Sequence, residues 1–505
     1  MGAPLNPISR VGKAIYAIFF LALLVRVWNL DIPFVEPYNN ISRQSLCASV
    51  ARNFYQHGFN LFYPEIDENG PGPYLYNVEF PLYSYVMAVG YKLAGGVREW
   101  AARLVSVFFG MLFLFFLYFF LRRVSSETVA FWGVVFASFS PMCVALSRSI
   151  QPDITMLSAS MVALYAFYRF KETEEPHFYI FSLLALSLAV LTRPFALYLF
   201  LPIVAIAWMN EGKDIFKNPK NYVFAFSVLL TLTWYVWMAV AGKGQKLAYD
   251  PYIFSRGDMA EHHDYLRLFA PSKLIYPAKI LVFHLLTPLG SLLALRGIFA
   301  RPRNWKEIVI YPWLMGVIIY LLVAWPTAVS HSYYFLPLLS IFAFWVGKGV
   351  EALLESERTA KIVKNPIVII LALVMSLVSA GYFYRLLYFI PDERWAIVRT
   401  AETAQKITPK EDLVVASWGS SPIQLYYCNR KGWVLNLEDK DTKALIEKLE
   451  AHRAQGAKWF VTSKTADIRR NLDFEKYLLS RYKAVFNNQE SLVVDLRVVQ
   501  ASEPS

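Results

Sequence analysis

Charge is scarce in this chain of 505 residues: Asp, Glu, Lys and Arg together make up 17%, where a soluble globular protein carries nearer a quarter. Cysteine is scarcer still. Cys47, Cys143 and Cys428 lack metal-ligand spacing and leave one residue unpaired, so neither a disulfide scaffold nor a cysteine metal site is supported. Also missing are a GxxxxGK[ST] phosphate loop, a GxSxG nucleophile elbow and an HExxH helix, which leaves cytosolic nucleotide energy without support. The 23 glycines and 27 prolines follow no period, which excludes a collagen-like chain, and no repeat of solenoid length occurs. What is abundant is apolar: 56% hydrophobic, 16% aromatic, mean hydropathy +0.37. That composition excludes disorder and indicates a polytopic membrane protein. The net charge of +12 would suggest a nucleic-acid partner in a soluble chain; here the placement of charge matters more than its sum, and no nucleic acid is expected.

A hydrocarbon core of roughly 30 Å needs about 17–25 apolar residues per helix. Runs of that kind lie near 12–28, 101–121, 128–146, 154–170, 177–192, 195–209, 221–242, 276–298, 307–326, 333–352 and 366–389, predicting about eleven spans, nine to thirteen given the uncertain boundaries. The first follows Arg10 and Lys13, ends in Arg26 and Trp28 and carries no small-residue cleavage site, so it reads as a retained helix. Lys and Arg in short loops stay cytoplasmic. Arg122 and Arg123; Arg169 and Lys171; Lys213, Lys217 and Lys220; Arg301, Arg303 and Lys306; and Arg358, Lys361 and Lys364 occupy alternate loops. Those loops share one side with the amino terminus. Segments 29–100, 147–153, 243–275, 327–332 and 390–505 then face outward, and the chemistry is expected there, in a cell membrane.

Two outward segments are large. The first, 29–100, holds the amphipathic stretches ARNFYQHGF and EFPLYSYVMAVGYKL around the turn-rich DENGPGPY, a pattern that suits short helices in the interface. After Pro391 the composition turns soluble. DLVVASWG, GWVLNL, AKWFVTS and SLVVDLR read as strands and DTKALIEKLEAHRAQG as a helix closed by glycine. The expected fold is a membrane module over 1–390 followed by a small extracytoplasmic α/β domain over 391–505.

Several polar residues stand at outward positions. Glu79 precedes the second amphipathic stretch, where partial desolvation raises a carboxyl pKa and fits it to proton transfer; the plainer reading is an interfacial acid paired with Arg. Asp153 opens a helix after Pro152, which suits both a first-turn cap and, beside Arg148, a site at one membrane face. Arg193 interrupts the apolar LTRPFAL and reads either as a phosphate contact or as a side chain snorkelling to headgroups. His331, Tyr333 and Tyr334 precede an apolar helix, where tyrosines are usually belt residues. His262, His263 and Asp264 lack a second ligand set and read as a solvated loop.

The order of these elements resembles that of the C-type (GT-C) integral-membrane glycosyltransferases, in the protein-mannosyltransferase and aminoarabinose-transferase-like branch. The resemblance covers roughly residues 10–390. It is carried by SRQSLCASVARNFYQHGFNLFYP, EFPLYSY, Arg103 opening the next helix, RSIQPD and the late His-x-Tyr-Tyr. It implies transfer of a sugar from a polyprenyl-phosphate or dolichyl-phosphate donor to a lipid, glycan or protein acceptor at the outer face, with no cofactor and no metal demanded. Carried over by motif, Glu79 and Asp153 are the acids, and Arg43, Arg52, Arg193, His331, Tyr333 and Tyr334 the phosphate or sugar contacts, with Asn40 and Arg148 beside them. Related sequences often place an acid just before the Arg-Gln element; here Asn39 and Asn40 stand there, and Asn cannot take a proton. Glu79 is then the favoured base, with Glu36 in reserve, unless catalysis rests on positioning or the chain is an inactive scaffold. A transporter of lipid-linked glycans is the alternative of another class; it should place polar, broken helices at mid-membrane, whereas the ionisable residues here gather at one face.

Overall fold

The structure, a computed structural model, describes residues 10–38, 40–77, 79–240, 270–357, 359, 361, 365–439 and 441–499. The loop residues His262, His263 and Asp264 lie outside them. The chain divides into two compact units: residues 1–30, 103–236 and 252–385, and residues 31–102, 237–251 and 386–505.

The first unit is helical. Helical residues occupy each of the eleven apolar runs, and four helices among the described residues are long and apolar enough to cross a membrane, or five if one bent pair counts as a single span. The bent pair corrects the expected span 276–298. Residues 271–285 and 287–298 meet at 95°: Pro277 lies within the first helix, a π-helical stretch covers Ile280–Leu285, and Thr287, ahead of Pro288, has φ +61°. A proline removes an amide donor and forces its predecessor out of helical geometry. The same effect divides 128–146 into Glu127–Phe139 and Pro141–Leu146 at Ser140, where ψ is 125°. Close packing fixes other neighbours. A Cβ at Gly297 would stand 1.8 Å from the Trp345 carbonyl oxygen, and one at Gly349 2.0 Å from that of Leu293, so helices Thr287–Ile298 and Leu338–Glu355 approach through glycine. Lys348 is buried between Glu307 at 3.3 Å and Glu351 at 3.0 Å, and Ser125 and Ser126 donate to those two carboxylates.

In the second unit, helix Ile41–His57 is followed by a hairpin of β1 (Glu65–Ile66) and β2 (Tyr74–Leu75) and by helix Leu82–Leu93. A five-stranded sheet then runs in the order β4 (Gly432–Val434), β3 (Leu413–Ser417), β5 (Ala457–Thr462), β7 (Leu492–Val499), β6 (Tyr482–Asn487). β4, β3 and β5 are parallel, and β7 and β6 antiparallel. The four strands and the helix expected from sequence are present; β6 and the helices Asp392–Ile407, Ile423–Cys428, Thr465–Arg470 and Leu472–Arg481 were not anticipated.

The compact units cut across the sequence boundary at 390, because residues 31–102 pack with the carboxyl-terminal residues. Gly70 N–H donates to the Gly432 carbonyl at 2.8 Å and Gly432 N–H to that of Asp67 at 3.0 Å. Gly70 has φ +111°, and a Cβ there would stand 2.7 Å from Trp433. Arg394 donates to the Val35 carbonyl at 3.1 Å, and Lys431 pairs with Glu65.

Candidate functional site

In the first unit, Asp153 is the first residue of helix Asp153–Thr173, so its carboxylate sits at the positive end of the helix dipole. It is 2% exposed. Oδ1 accepts from Arg193 Nη2 at 2.8 Å, while Oδ2 has no hydrogen-bond partner among the described residues. Arg193 ends helix Pro176–Thr192 in extended geometry, where Pro194 forbids helical continuation. Its guanidinium lies 5.5 Å from the centre of the Tyr333 ring. Tyr333 stacks on Tyr334 at 4.9 Å, and Tyr334 lies parallel to Tyr320 within 15°. The Tyr320 hydroxyl donates to the Tyr334 carbonyl at 3.0 Å, which pins the turn Ser332–Phe335. His331 Nδ1 is 3.1 Å from the Thr327 carbonyl, which can only accept, so Nδ1 carries the proton of that bond. A pocket of about 10 Å³, room for about one water, lies among Asp153, Arg193, Phe195, Tyr198, Tyr320 and Tyr333. Arg148 is fully buried and donates to the carbonyls of Arg26 and Trp28, both at 2.5 Å, and of Asn29 at 3.1 Å.

The second unit holds the other predicted residues. Asn40 caps helix Ile41–His57, its side chain accepting from the Arg43 amide at 3.0 Å, which is the work an Asp would also do there. Arg43, from the first turn, makes a buried ion pair with Glu79 and donates to the Tyr76 hydroxyl at 2.5 Å; the same hydroxyl is 3.4 Å from Glu79 Oε1. Glu79 is 4% exposed, so the paired-acid reading describes its surroundings. Glu36 is fully buried and accepts from Gln44 at 3.3 Å. Arg52 pairs with Asp67 and donates to the Tyr426 carbonyl at 2.8 Å. Burial works against its charge, but Asp67, Tyr426 and Tyr91 together lift the guanidinium above its usual value.

The residues predicted from sequence therefore form two groups, one in each unit. Arg148, Asp153, Arg193, His331, Tyr333 and Tyr334 belong to the first, and Glu36, Asn40, Arg43, Arg52 and Glu79 to the second. Tyr76, Tyr198 and Tyr320 went unnoticed; Tyr76 lies three residues before Glu79, the one signal that was present. Among the described residues no three His, Cys, Asp or Glu gather as a metal site.

Residues 78–237 match the family model of dolichyl-phosphate-mannose-protein mannosyltransferases. Among solved structures, ArnT from Cupriavidus metallidurans bound to undecaprenyl phosphate aligns over 98% of this chain and 99% of its own, with 14% identity and a TM-score of 0.62. Its apo form gives 96%, 98%, 13% and 0.58. The Archaeoglobus fulgidus oligosaccharyltransferase in complex with Zn and sulfate aligns over 95% of this chain and 73% of its own, with 12% identity and a TM-score of 0.59. No curated protein matches the sequence. The fold is that of the C-type integral-membrane glycosyltransferases. The chain is a multi-pass membrane protein of that fold, and about a third of it resembles the protein-mannosyltransferase family model.

Proposed function

We propose that this protein moves a sugar from a polyprenyl-phosphate donor to an acceptor hydroxyl at the outer face of a cell membrane. The observation that carries the reading is Asp153: a buried carboxylate with one oxygen on Arg193 and the other without a protein partner. A buried acceptor left unpaired is costly, and a hydroxyl entering the pocket would satisfy it. In the reaction the acceptor oxygen bonds to the anomeric carbon, the bond from that carbon to the phosphate oxygen breaks, and the acceptor proton passes to a carboxylate. Polyprenyl phosphate leaves, the kind of molecule named as bound in the ArnT crystal. Phosphate leaves readily when its growing charge is compensated; Arg193 is the cation for that task, with His331, Tyr333 and Tyr334 contacting phosphate or sugar. Asp153, through the oxygen that meets the hydroxyl, is the proposed proton acceptor in the first unit; Glu79, held by Arg43 and Tyr76 in the other unit, is the alternative acid, with Glu36 in reserve. Arg52, Arg148 and Asn40, bound to backbone or to Asp67, position the chain around them. Basic residues in alternate loops support the outward orientation, and the soluble composition after Pro391 supports an extracytoplasmic domain over 391–505.

The test incubates purified protein in lipid with a panel of polyprenyl-phosphate sugars and a membrane extract. The expected result is donor consumption with labelled product, reduced by about 10²–10⁴-fold in Asp153→Asn. Binding of a donor without consumption would move the reading to a transporter or an inactive scaffold.

A further inference from the structure

The sheet of the second unit is wound in both directions from β3. β3 and β5 are parallel neighbours, Ser417 opposite Thr462, yet the chain leaves their carboxyl ends toward opposite faces. Beyond β3 it enters helix Ile423–Cys428, whose Leu425 and Cys428 pack with Ala401 and Ala416. Beyond β5 it enters helix Thr465–Arg470, whose Ile468 packs with Val415 and Leu445. Where neighbouring strands send their loops apart, a crevice opens at the carboxyl edge, and open α/β sheets bind their ligands there.

This crevice carries its own side-chain cluster. Trp418, the residue after β3, is partly exposed, and Lys464, two residues beyond β5, places Nζ 5.0 Å from the centre of its ring. Lys464 also pairs with Glu438 from the β4 loop at 2.7 Å and with Asp467 at 3.5 Å. Loops from three adjacent parallel strands thus meet at Lys464, whose ammonium sits over the indole. The buried hydroxyl of Ser417, the last residue of β3, has no hydrogen-bond partner among the described residues.

The charge pattern selects the ligand class. Two carboxylates outnumber the single ammonium, so an anion gains little here, and the loop Trp418–Pro422 has one glycine and leads into a helix of only six residues, unlike a phosphate-binding turn. A flat aromatic face bordered by a carboxylate acceptor and an ammonium donor suits a pyranose, whose C–H face covers the ring while its hydroxyls reach both charges. We infer that the carboxyl edge of this sheet holds a neutral sugar residue of a glycan, stacked on Trp418 and hydrogen-bonded to Glu438 and Lys464. The inference concerns binding alone and stands apart from the transferase reading.

The test uses the full chain in lipid nanodiscs, with no donor present, titrated calorimetrically with neutral gluco- and manno-oligosaccharides of two to six units and with a hexose phosphate as the anionic control. Saturable binding of a neutral oligosaccharide is expected, weakened at least tenfold by Trp418→Ala, less than threefold by Trp418→Phe and several-fold by Glu438→Gln. Glu438 is largely exposed, so that last variant keeps the test decisive even where Trp418→Ala lowers the melting temperature. No saturable neutral binding, affinity unchanged in both Trp418→Ala and Glu438→Gln, or preference for the phosphate would each overturn the inference.

Discussion

At the scale of the residue, the first-loop acid and the helix-start acid differ in a way that separates structure from chemistry. Glu79 is buried against Arg43, so Glu79→Gln leaves a guanidinium without its counter-charge, and breaking such a pair costs about 3–5 kcal/mol. Adding Arg43→Met should recover most of that loss, since the two side chains act as a unit. Thermal melting in detergent measures the recovery. Transfer should remain absent in the double variant if Glu79 takes the proton; transfer that returns with stability would assign Glu79 a purely structural role. The carboxylates and arginines were legible in the sequence because charge is rare in an apolar chain and conspicuous wherever it occurs. Tyr76, Tyr198 and Tyr320 were not: with 31 tyrosines in the chain, only contact distinguishes the one whose hydroxyl holds Tyr334 from its neighbours.

At the scale of the element, helix Thr442–Ala454 brings His452 flat against Trp433 of β4, 5.1 Å between ring centres and 19° between planes. Burial, aided by Lys448, holds this imidazole below its usual pKa, and Nδ1 has no hydrogen-bond partner among the described residues. The unfolded chain, with an ordinary value of about 6.5, therefore binds the proton more readily than the folded one. The stabilisation is present above that value and is lost as pH falls through and below it. The melting temperature should thus decline between about pH 7 and pH 5, and His452→Phe, which keeps a ring on Trp433, should remove that part of the decline. Elements with a strong local signal were legible: apolar runs marked helices, and short runs rich in Val, Leu and aromatic residues marked β3, β4, β5 and β7. Breaks inside runs were not read, although Pro141, Pro277 and Pro288 carried the cause. β6 escaped because five of its six residues are exposed or half-exposed and show no buried alternation.

At the scale of the whole molecule, residues 31–102 and the carboxyl-terminal residues share one compact unit, tied by Gly70 to Gly432, Arg52 to Tyr426, Arg394 to Val35 and Lys431 to Glu65. A chain ending after residue 390 should therefore lose order in 31–102, and limited proteolysis should find new cleavage sites there; a loop that stays protected would show that it folds by itself. Composition and local pattern alone determined the membrane class, the helical runs, the α/β character of the end of the chain and the charged residues worth asking about, because hydrophobicity and charge are properties of short segments. Only the tertiary structure decided that Arg193 takes one oxygen of Asp153 and leaves the other, that Arg43 rather than solvent meets Glu79, and that the segment 31–102 packs on a sheet formed more than three hundred residues later. Those are choices of partner among distant groups, and they are settled by which arrangement buries the most apolar surface while leaving the fewest polar atoms unpaired.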